Sequence, residues 1–345
     1  MSVGSRRLSA EEAVALTAEV LESAGAGPAV ARLQAEHLVE AELRGHASHG
    51  LRRLPVLVER IRAGLIEPNA EPAFEWTAPA SLRVDGNRGL GPVTAYRTID
   101  ELIARAAETG VAAAALRRTH HLGMLAPYAE RIAERSCIGI LICSTEGLVH
   151  PWGGAGALVG TNPIAVGVPA AGGDVILDMS TGSVSAGKIL DHLERGRAIP
   201  EGWAVDAAGH PTTDAAAAVA GAISPFGGAK GYALGLTLGV IVGVLTGTEY
   251  GPHVVGTLDA EHETTKGDVI LVLDIASFGQ DARASDGLAA YLAMVRDSGV
   301  DGTRVGIPGD RSRAHRSAAL EEGFDVTEEI WRMLRQQDVR AEHRA

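Results

Sequence analysis

The chain has 345 residues and a mass of 35.7 kDa, with 46% apolar and 21% charged residues, the make-up of a folded enzyme of one large or two modest domains and not of a disordered chain. Thirty-one Lys and Arg against 43 Asp and Glu leave a net charge of −12, which lacks the phosphate-neutralising charge that drives nucleic-acid binding. Two cysteines, Cys137 and Cys143, exclude a disulfide scaffold and suit a reducing cytosol, so the expected location is cytoplasmic.

Arg6 and Arg7 are followed by Glu11 and Glu12, which is not the apolar run of a secretory signal. Residues 8 to 45 read as helix, opened by Ser9 and Glu12 at capping-box spacing and broken by Gly25, Gly27 and Pro28. A third helix is expected from Leu51 to Ala63, ended by Gly64 and Pro68. Beyond residue 80, β-type runs at Val111–Ala115, Ile138–Cys143, Ile164–Val168, Val175–Leu177 and Val269–Asp274 alternate with helical stretches such as Thr94–Thr109 and Ala126–Arg135. The alanine-rich stretch 215 to 220 reads as helix or loop, and the tail from Ser277 to Gln337 as helices. Within that tail Arg311-Ser312-Arg313 with Arg316 reads as a solvated face.

From Tyr232 to Gly247 the chain is uncharged, with glycine at every fourth position from Gly231 to Gly247. Such a run reaches about 24 Å, short of the ~30 Å hydrocarbon core of a bilayer, so the expectation is a buried helix and no membrane span. Strands alternating with helices predict an α/β core between helical ends. The expected segments are 1–75, 76–280 and 281–345, the last packing back on the first.

Histidine is the residue type most suggestive of chemistry. His46-Ala47-Ser48-His49-Gly50 sets two imidazoles three apart, and His120-His121 is an adjacent pair ahead of a helix. Imidazoles exchange protons near neutrality, so such clusters suit acid–base work or metal binding; hydrogen-bonded structural histidines give the same pattern. No HExxH, CxxC or EF-hand loop supports a metal, and neither GxGxxG, a P-loop nor a GxSxG elbow is present. Phe226-Gly227-Gly228-Ala229-Lys230-Gly231 puts a lysine at a helix mouth, which reads equally as an anion seat or as a tight turn. Asp178-Met179-Ser180-Thr181-Gly182 follows a strand and reads as a ligand-facing turn or a helix cap.

Taken together, several strings in order resemble the type 2 malate/L-lactate dehydrogenase family of NAD(P)-dependent oxidoreductases. They are RGHASHGLRRLPV (44 to 56), HHLGMLAPYAERIAE (120 to 134), GTNPIAVGVPA (160 to 170), LDMSTGSVSAGK (177 to 188), IPEGWAVDAAGHPTTD (199 to 214), FGGAKGY (226 to 232) and IPGD (307 to 310), spread over nearly the whole chain. The resemblance implies a non-Rossmann α/β fold, a mixed-sheet core with helical N- and C-terminal segments, like that of sulfolactate dehydrogenases. It also implies a homodimer, NAD or NADP as cofactor, and a small 2-hydroxy or 2-oxo acid substrate, or a cyclic imine carboxylate.

By the same resemblance His49 is the proton donor to the carbonyl, and His121, two residues ahead of Gly123, is the proton acceptor of alcohol-oxidising members. Ser48 and Arg53 fall on substrate-contacting positions, a guanidinium suiting a carboxylate. Thr145, Asp178, Met179, Ser180, Lys230, Pro308, Gly309 and Asp310 fall on nucleotide-contacting strings; Asn162 and Lys188 match motif positions without an assigned role. The chain departs from the family pattern at Leu57, where a tyrosine is common, at Gly239, commonly acidic, and at Asp310, more usually glutamate; Ala229 and Ala233 thin the glycine-lined helix. A metal-dependent hydrolase or lyase built on His46, His49, His120 and His121 is the reading from another class.

Overall fold

Ser9 caps the first long helix as its spacing from Glu12 predicts, with Glu12 N donating to Ser9 Oγ at 3.2 Å. The computed structural model describes residues 5–281 and 285–335; the last predicted helical residues, 336 and 337, and the chain end to 345 lie outside them. A strand precedes the capped helix, so the expectation of helix from residue 8 is corrected: the chain runs β1 (Ser5–Leu8), α1 (Ala10–Ser23), α2 (Pro28–Leu43) and α3 (Leu54–Arg62). It continues through β2 (Ala73–Ala78), β3 (Ser81–Gly89), α4 (Gly91–Thr109), β4 (Val111–Thr119), α5 (Ala126–Glu134), β5 (Cys137–Cys143), β6 (Gly147–Val149), β7 (Val159–Gly160), β8 (Ile164–Val168) and β9 (Val175–Met179). Then come α6 (Ala186–Glu194), β10 (Ala204–Val205), β11 (Pro211–Thr212), α7 (Ala215–Ala220), β12 (Ala222–Ile223), α8 (Ala229–Thr246), β13 (Gly267–Asp274), α9 (Asp286–Arg296), α10 (Asp310–Glu322), β14 (Phe324–Thr327) and α11 (Glu328–Arg335).

The main sheet has seven strands in the order β2-β3-β4-β13-β5-β8-β9. Only β3 and β4 pair in parallel; the other neighbours are antiparallel. It is a mixed sheet and not a doubly wound one, in keeping with the absent GxGxxG. Its central strand β13 is Val-, Ile- and Leu-rich because both faces are covered. Ile270 and Val272 meet the core formed with Leu116, Leu141, Tyr128 and Ile132, while Val269 packs with Leu238 and Val242 of α8. A second, five-stranded sheet, β11-β10-β12-β6-β7, carries strands of two or three residues. Helices α1 to α3 share a separate apolar core with Phe324, Val326 and Ile330. There the predicted all-helical tail is corrected, because β14 pairs antiparallel with β1.

The basic tail cluster is also corrected. Arg316 Nε donates to Glu40 Oε1 at 2.6 Å and Arg313 binds Asp310 and the Asp174 carbonyl, so both are spent inside the molecule. Glu40 also accepts from Arg44, whose guanidinium forks onto Glu130 at 2.7 and 2.6 Å. This network ties α2, α5 and α10 together around an arginine only 5% exposed. Replacing Arg44 by Met leaves the partly buried Glu130 carboxylate without its cation and Glu40 with Arg316 alone, and is expected to cost about 3 kcal/mol, read as a lower urea midpoint.

Helix α8 departs from the expected buried helix. Its glycine face lies against the protein: a Cβ on Gly235 would stand 2.5 Å from Thr181 Oγ1, and one on Gly239 2.5 Å from Asn162 Nδ2. Leu238 and Val242 pack on β13, while Leu236, Val240, Val244 and Leu245 point away and are exposed, Val244 at 66%. By length and composition alone the helix could cross a membrane, with a mean hydropathy of 1.5.

Candidate active site

Two short 3-10 turns, Ala47–His49 and Leu51–Arg53, connect α2 to α3. The second is held by Glu42, which accepts from Leu51 N at 2.8 Å. A side chain on Gly50 would collide with that carboxylate, which explains the glycine after His49. His121 leaves the end of β4, and Gly91 of α4 gives its carbonyl room. The two turns bring His49 and His121 face to face, ring centroids 5.6 Å apart and planes 23° from parallel.

Hydrogen bonds set the two rings differently. Gly123 N donates to His121 Nδ1 at 3.2 Å, so the neutral ring carries its proton on Nε2. His49 Nδ1 meets Ser48 Oγ at 3.1 Å, leaving its Nε2 for a ligand. Burial, Arg53 and His46 lower the His49 pKa to about 4. Burial, Arg53, His49, Lys266 and His37 push His121 well below the usual histidine value. His120, buried against Arg60, falls to about 3, and His37, stacked on Tyr128, to about 4. All four are neutral at pH 7.

A histidine held neutral in the fold makes the unfolded chain the better proton acceptor at low pH. Its stabilising contribution is complete above about pH 6.5 and is lost as pH falls toward the folded values of 3 to 4. The urea midpoint is therefore expected to drop steeply between pH 6.5 and 4, and substituting His120 by a neutral residue should flatten part of that slope.

Arg53 NH2 donates to the Thr257 carbonyl, and its buried Nε has no partner. Glu146 Oε1 fixes that segment, accepting from Thr257 N at 2.7 Å, Thr257 Oγ1 at 2.9 Å and Leu258 N at 3.0 Å. Burial and Arg60 lower the Arg53 pKa while Glu146 raises it. Arg60 was missed in the sequence. It is 1% exposed, donates to the Asp259 and His262 carbonyls, and stands 3.4 Å from His120 Nε2. Its spacing of seven from Arg53, two helical turns, was the available signal. Glu146 had none. Leu57, between the two arginines, is buried in the helical core, so no hydroxyl stands there.

The remaining candidates fall around this pair. Asp178 caps α5: its Oδ2 accepts from Leu125 N and Ala126 N at 2.9 and 2.8 Å, and burial raises it to about 6. The cap reading of that turn therefore holds for the carboxylate, while Met179 pairs with Ile164 and Ser180 follows the strand. Thr145 N donates to Asn162 Oδ1 at 3.0 Å, and Asn162 Nδ2 to the Gly235 carbonyl at 2.9 Å, locking α8 to the small sheet. Thr145 and Gly239 line a cavity of about 210 Å³ under α8. Ile176 N donates to the Pro308 carbonyl, Gly309 (φ +99°) lies against Ile176, and Asp310, pinned by Arg296 and Arg313, falls to about 2. Lys230 is exposed in the first turn of α8. Among the described residues, no hydrogen bond or ion pair joins Lys230, Pro308, Gly309 or Asp310 to the histidines.

One side of the site is cationic. Burial, Arg311, Arg44, Lys188 and His315 all lower the His46 pKa, and His315 packs on Gly45 at 3.8 Å from a Cβ built there. Gly187, beside Lys188 in α6, lies against Ser48. Lys188 and Arg311 both act on His46, and cations of this kind suit an anionic group such as a pyrophosphate. The same cations repel a divalent metal. Among the described residues, no three His, Cys, Asp or Glu side chains converge for one.

A family model described as malate/L-lactate dehydrogenase matches residues 8–335. The malate/(S)-sulfolactate dehydrogenase of Methanothermus fervidus is 34% identical over 329 residues, covering 95% of this chain and 96% of that protein. The Δ1-pyrroline-2-carboxylate reductase of Ancylobacter novellus is 40% identical over 228 residues, covering 66% and 67%. The crystal structure of a dehydrogenase from Sinorhizobium meliloti superposes with a TM-score of 0.92 at 46% identity, covering 96% and 98%.

Proposed function

The chain belongs to the malate/L-lactate dehydrogenase family and is an oxidoreductase using NAD or NADP on small hydroxy or oxo acids; from that premise we propose that the stacked His49–His121 pair beside Arg53 is where the substrate reacts. When bound, the nicotinamide supplies or takes the hydride. Arg53 anchors the substrate carboxylate, with its unpartnered Nε available to complete a two-pronged contact. His121 donates from Nε2–H to the substrate oxygen, and His49 gives it the proton in reduction and takes it back in oxidation, with Ser48 holding the His49 ring. Lys188 and Arg311 hold the cofactor phosphates, and Thr145, Met179, Ser180, Lys230 and the Pro308–Asp310 turn border its path. Asp178 and Asp310 act there through the backbone and the arginines they bind.

The observation that carries this reading is the pair of facing neutral imidazoles next to a cation with spare donors. The test is nicotinamide absorbance against a panel of 2-oxo acids and cyclic imino acids, with NADH and NADPH offered separately. Turnover names the substrate; failure of both nucleotides to bind overturns the reading. Imino acids belong in the panel because of the kinship to a pyrroline carboxylate reductase.

The enzyme works, in our reading, as a cytoplasmic homodimer. The exposed apolar face of α8, with Leu236, Val240, Val244 and Leu245, is a surface of the kind that a second copy of the chain would cover. Val244→Glu is expected to convert a dimer into monomers by light scattering after gel filtration. A wild-type monomer recovered without detergent overturns the dimer.

A further inference from the structure

One buried hydroxyl stands apart from the histidine pair. Tyr128 of α5 is fully buried, and its Oη donates to the Leu122 carbonyl at 2.6 Å. A phenol taken from water into an apolar core is costly unless its O–H finds a partner, and phenylalanine would serve packing in the same core as well. Burial pushes the Tyr128 pKa well above the usual phenol value, so the hydroxyl keeps the proton it donates.

The carbonyl it holds is half of one particular peptide group. Leu122 C=O and Gly123 N–H belong to a single planar trans unit and point in opposite directions. The N–H end donates to His121 Nδ1 at 3.2 Å. The Tyr128 hydroxyl, the Leu122–Gly123 peptide and His121 Nδ1 therefore form two hydrogen bonds in series through one peptide, each polarising the other. The turn is packed from behind. Gly123 has φ +78°, and a Cβ there would stand 2.5 Å from Nε2 of His37. The His37 ring stacks on that of Tyr128, centroids 4.8 Å apart and planes 19° from parallel, while Tyr96 meets Tyr128 edge-on at 4.8 Å. Asp178 ties down the start of the same helix through Leu125 N and Ala126 N. His37, Tyr96 and Asp178 fix the phenol, and the phenol fixes the peptide.

We propose that Tyr128 is a positioning residue for the reaction: through the Leu122–Gly123 peptide it keeps Nδ1 of His121 an acceptor, and so keeps the proton of that ring on Nε2. This rests on the reading of His121 as the donor to the substrate oxygen. Which nitrogen of a neutral imidazole carries the proton is decided by the hydrogen bond that the other nitrogen makes. A backbone amide can only donate, so it forces the choice as long as it stays in place. Without the phenol the peptide is free to turn its N–H off Nδ1. With its proton on Nδ1, His121 would present a bare lone pair to an oxygen that needs a donor.

The test uses the full chain with bound NADH or NADPH and ¹⁵N-labelled histidine, the His121 signals being identified by their loss in His121→Asn. In the wild-type enzyme at pH 7 the two ring nitrogens of His121 should be widely separated, Nε2 protonated and Nδ1 bare; a proton on Nδ1 overturns the proposal without any further variant. Tyr128→Phe keeps the buried ring and removes only the hydroxyl. Its two His121 resonances are expected to draw together, and kcat to fall about tenfold, with KM and nucleotide affinity close to those of the wild type. Unchanged His121 resonances in Tyr128→Phe, whatever happens to the urea midpoint, make the hydroxyl purely structural and overturn the proposal. So does a shifted tautomer with unchanged kcat. Failure of the underlying reading is separable: if His121→Asn keeps the wild-type kcat, His121 is not the donor to the substrate, and the proposal falls with it.

Discussion

Replacing His49 by alanine is expected to lower kcat by about 10²- to 10⁴-fold while the affinity for NADH or NADPH stays close to that of the unaltered enzyme. The ring contacts Ser48 and His121, and the cations assigned to the phosphates lie in α6 and α10. His121→Asn, which removes an oriented donor without removing the proton carrier, should cost less. Parallel loss of turnover and nucleotide binding in His49→Ala, measured by nicotinamide fluorescence, would overturn the role given to His49. With its pKa near 4, His49 is neutral at pH 7 before substrate binds. Arg53 is among the causes of that depression for both rings. A substrate carboxylate offsets Arg53, so the proton should arrive with the anion. Calorimetry of a non-reacting 2-oxo acid analogue in two buffers of different ionisation enthalpy should show proton uptake on binding.

The second large effect falls on the anchor. Arg53→Met is expected to raise KM far more than it lowers kcat, with kcat/KM falling about 10²- to 10³-fold, since a desolvated carboxylate that loses its partner forfeits several kcal/mol. Lysine should recover only part, because a point charge cannot reproduce two parallel hydrogen bonds and cannot also hold the Thr257 carbonyl. The His49 and His121 titrations should rise in Arg53→Met, because a lowering charge has gone. An unchanged KM would remove Arg53 from the substrate.

The parts of the molecule readable in the sequence are those where one physical signal dominates. Helix α1 shows its Ser9 cap, and α1, α4 and α5 show 3.6-residue periods, while β5, β8 and β13 are rich in Val, Ile and Leu. The hairpin β2–β3 was missed because the alternation of Leu82 and Val84 with Arg83 and Asp85 is short and ends at Gly86, with no apolar residue from there to Gly89, and the small sheet because strands of two or three residues are too short to show a period. In the site, the strings around His49, His121 and Arg53 were legible through resemblance. Glu146 and Arg60 were not, since they act on residues roughly 60 to 200 positions away that only the fold brings near. The exposed face of α8 was misread because a glycine at every fourth position tells how closely one face can pack and nothing of what covers the other.

The place of β13 carries a consequence for how the chain is made. It lies between β4 and β5, yet is synthesised after every other strand of that sheet. Until residue 274 has left the ribosome, β4 and β5 each keep an open, apolar edge with unpaired backbone groups, the template for pairing with the wrong chain. Nascent fragments ending before residue 267 should therefore aggregate or be held by chaperones, and refolding of the full chain should be slow, limited by the insertion of one late strand between two early ones.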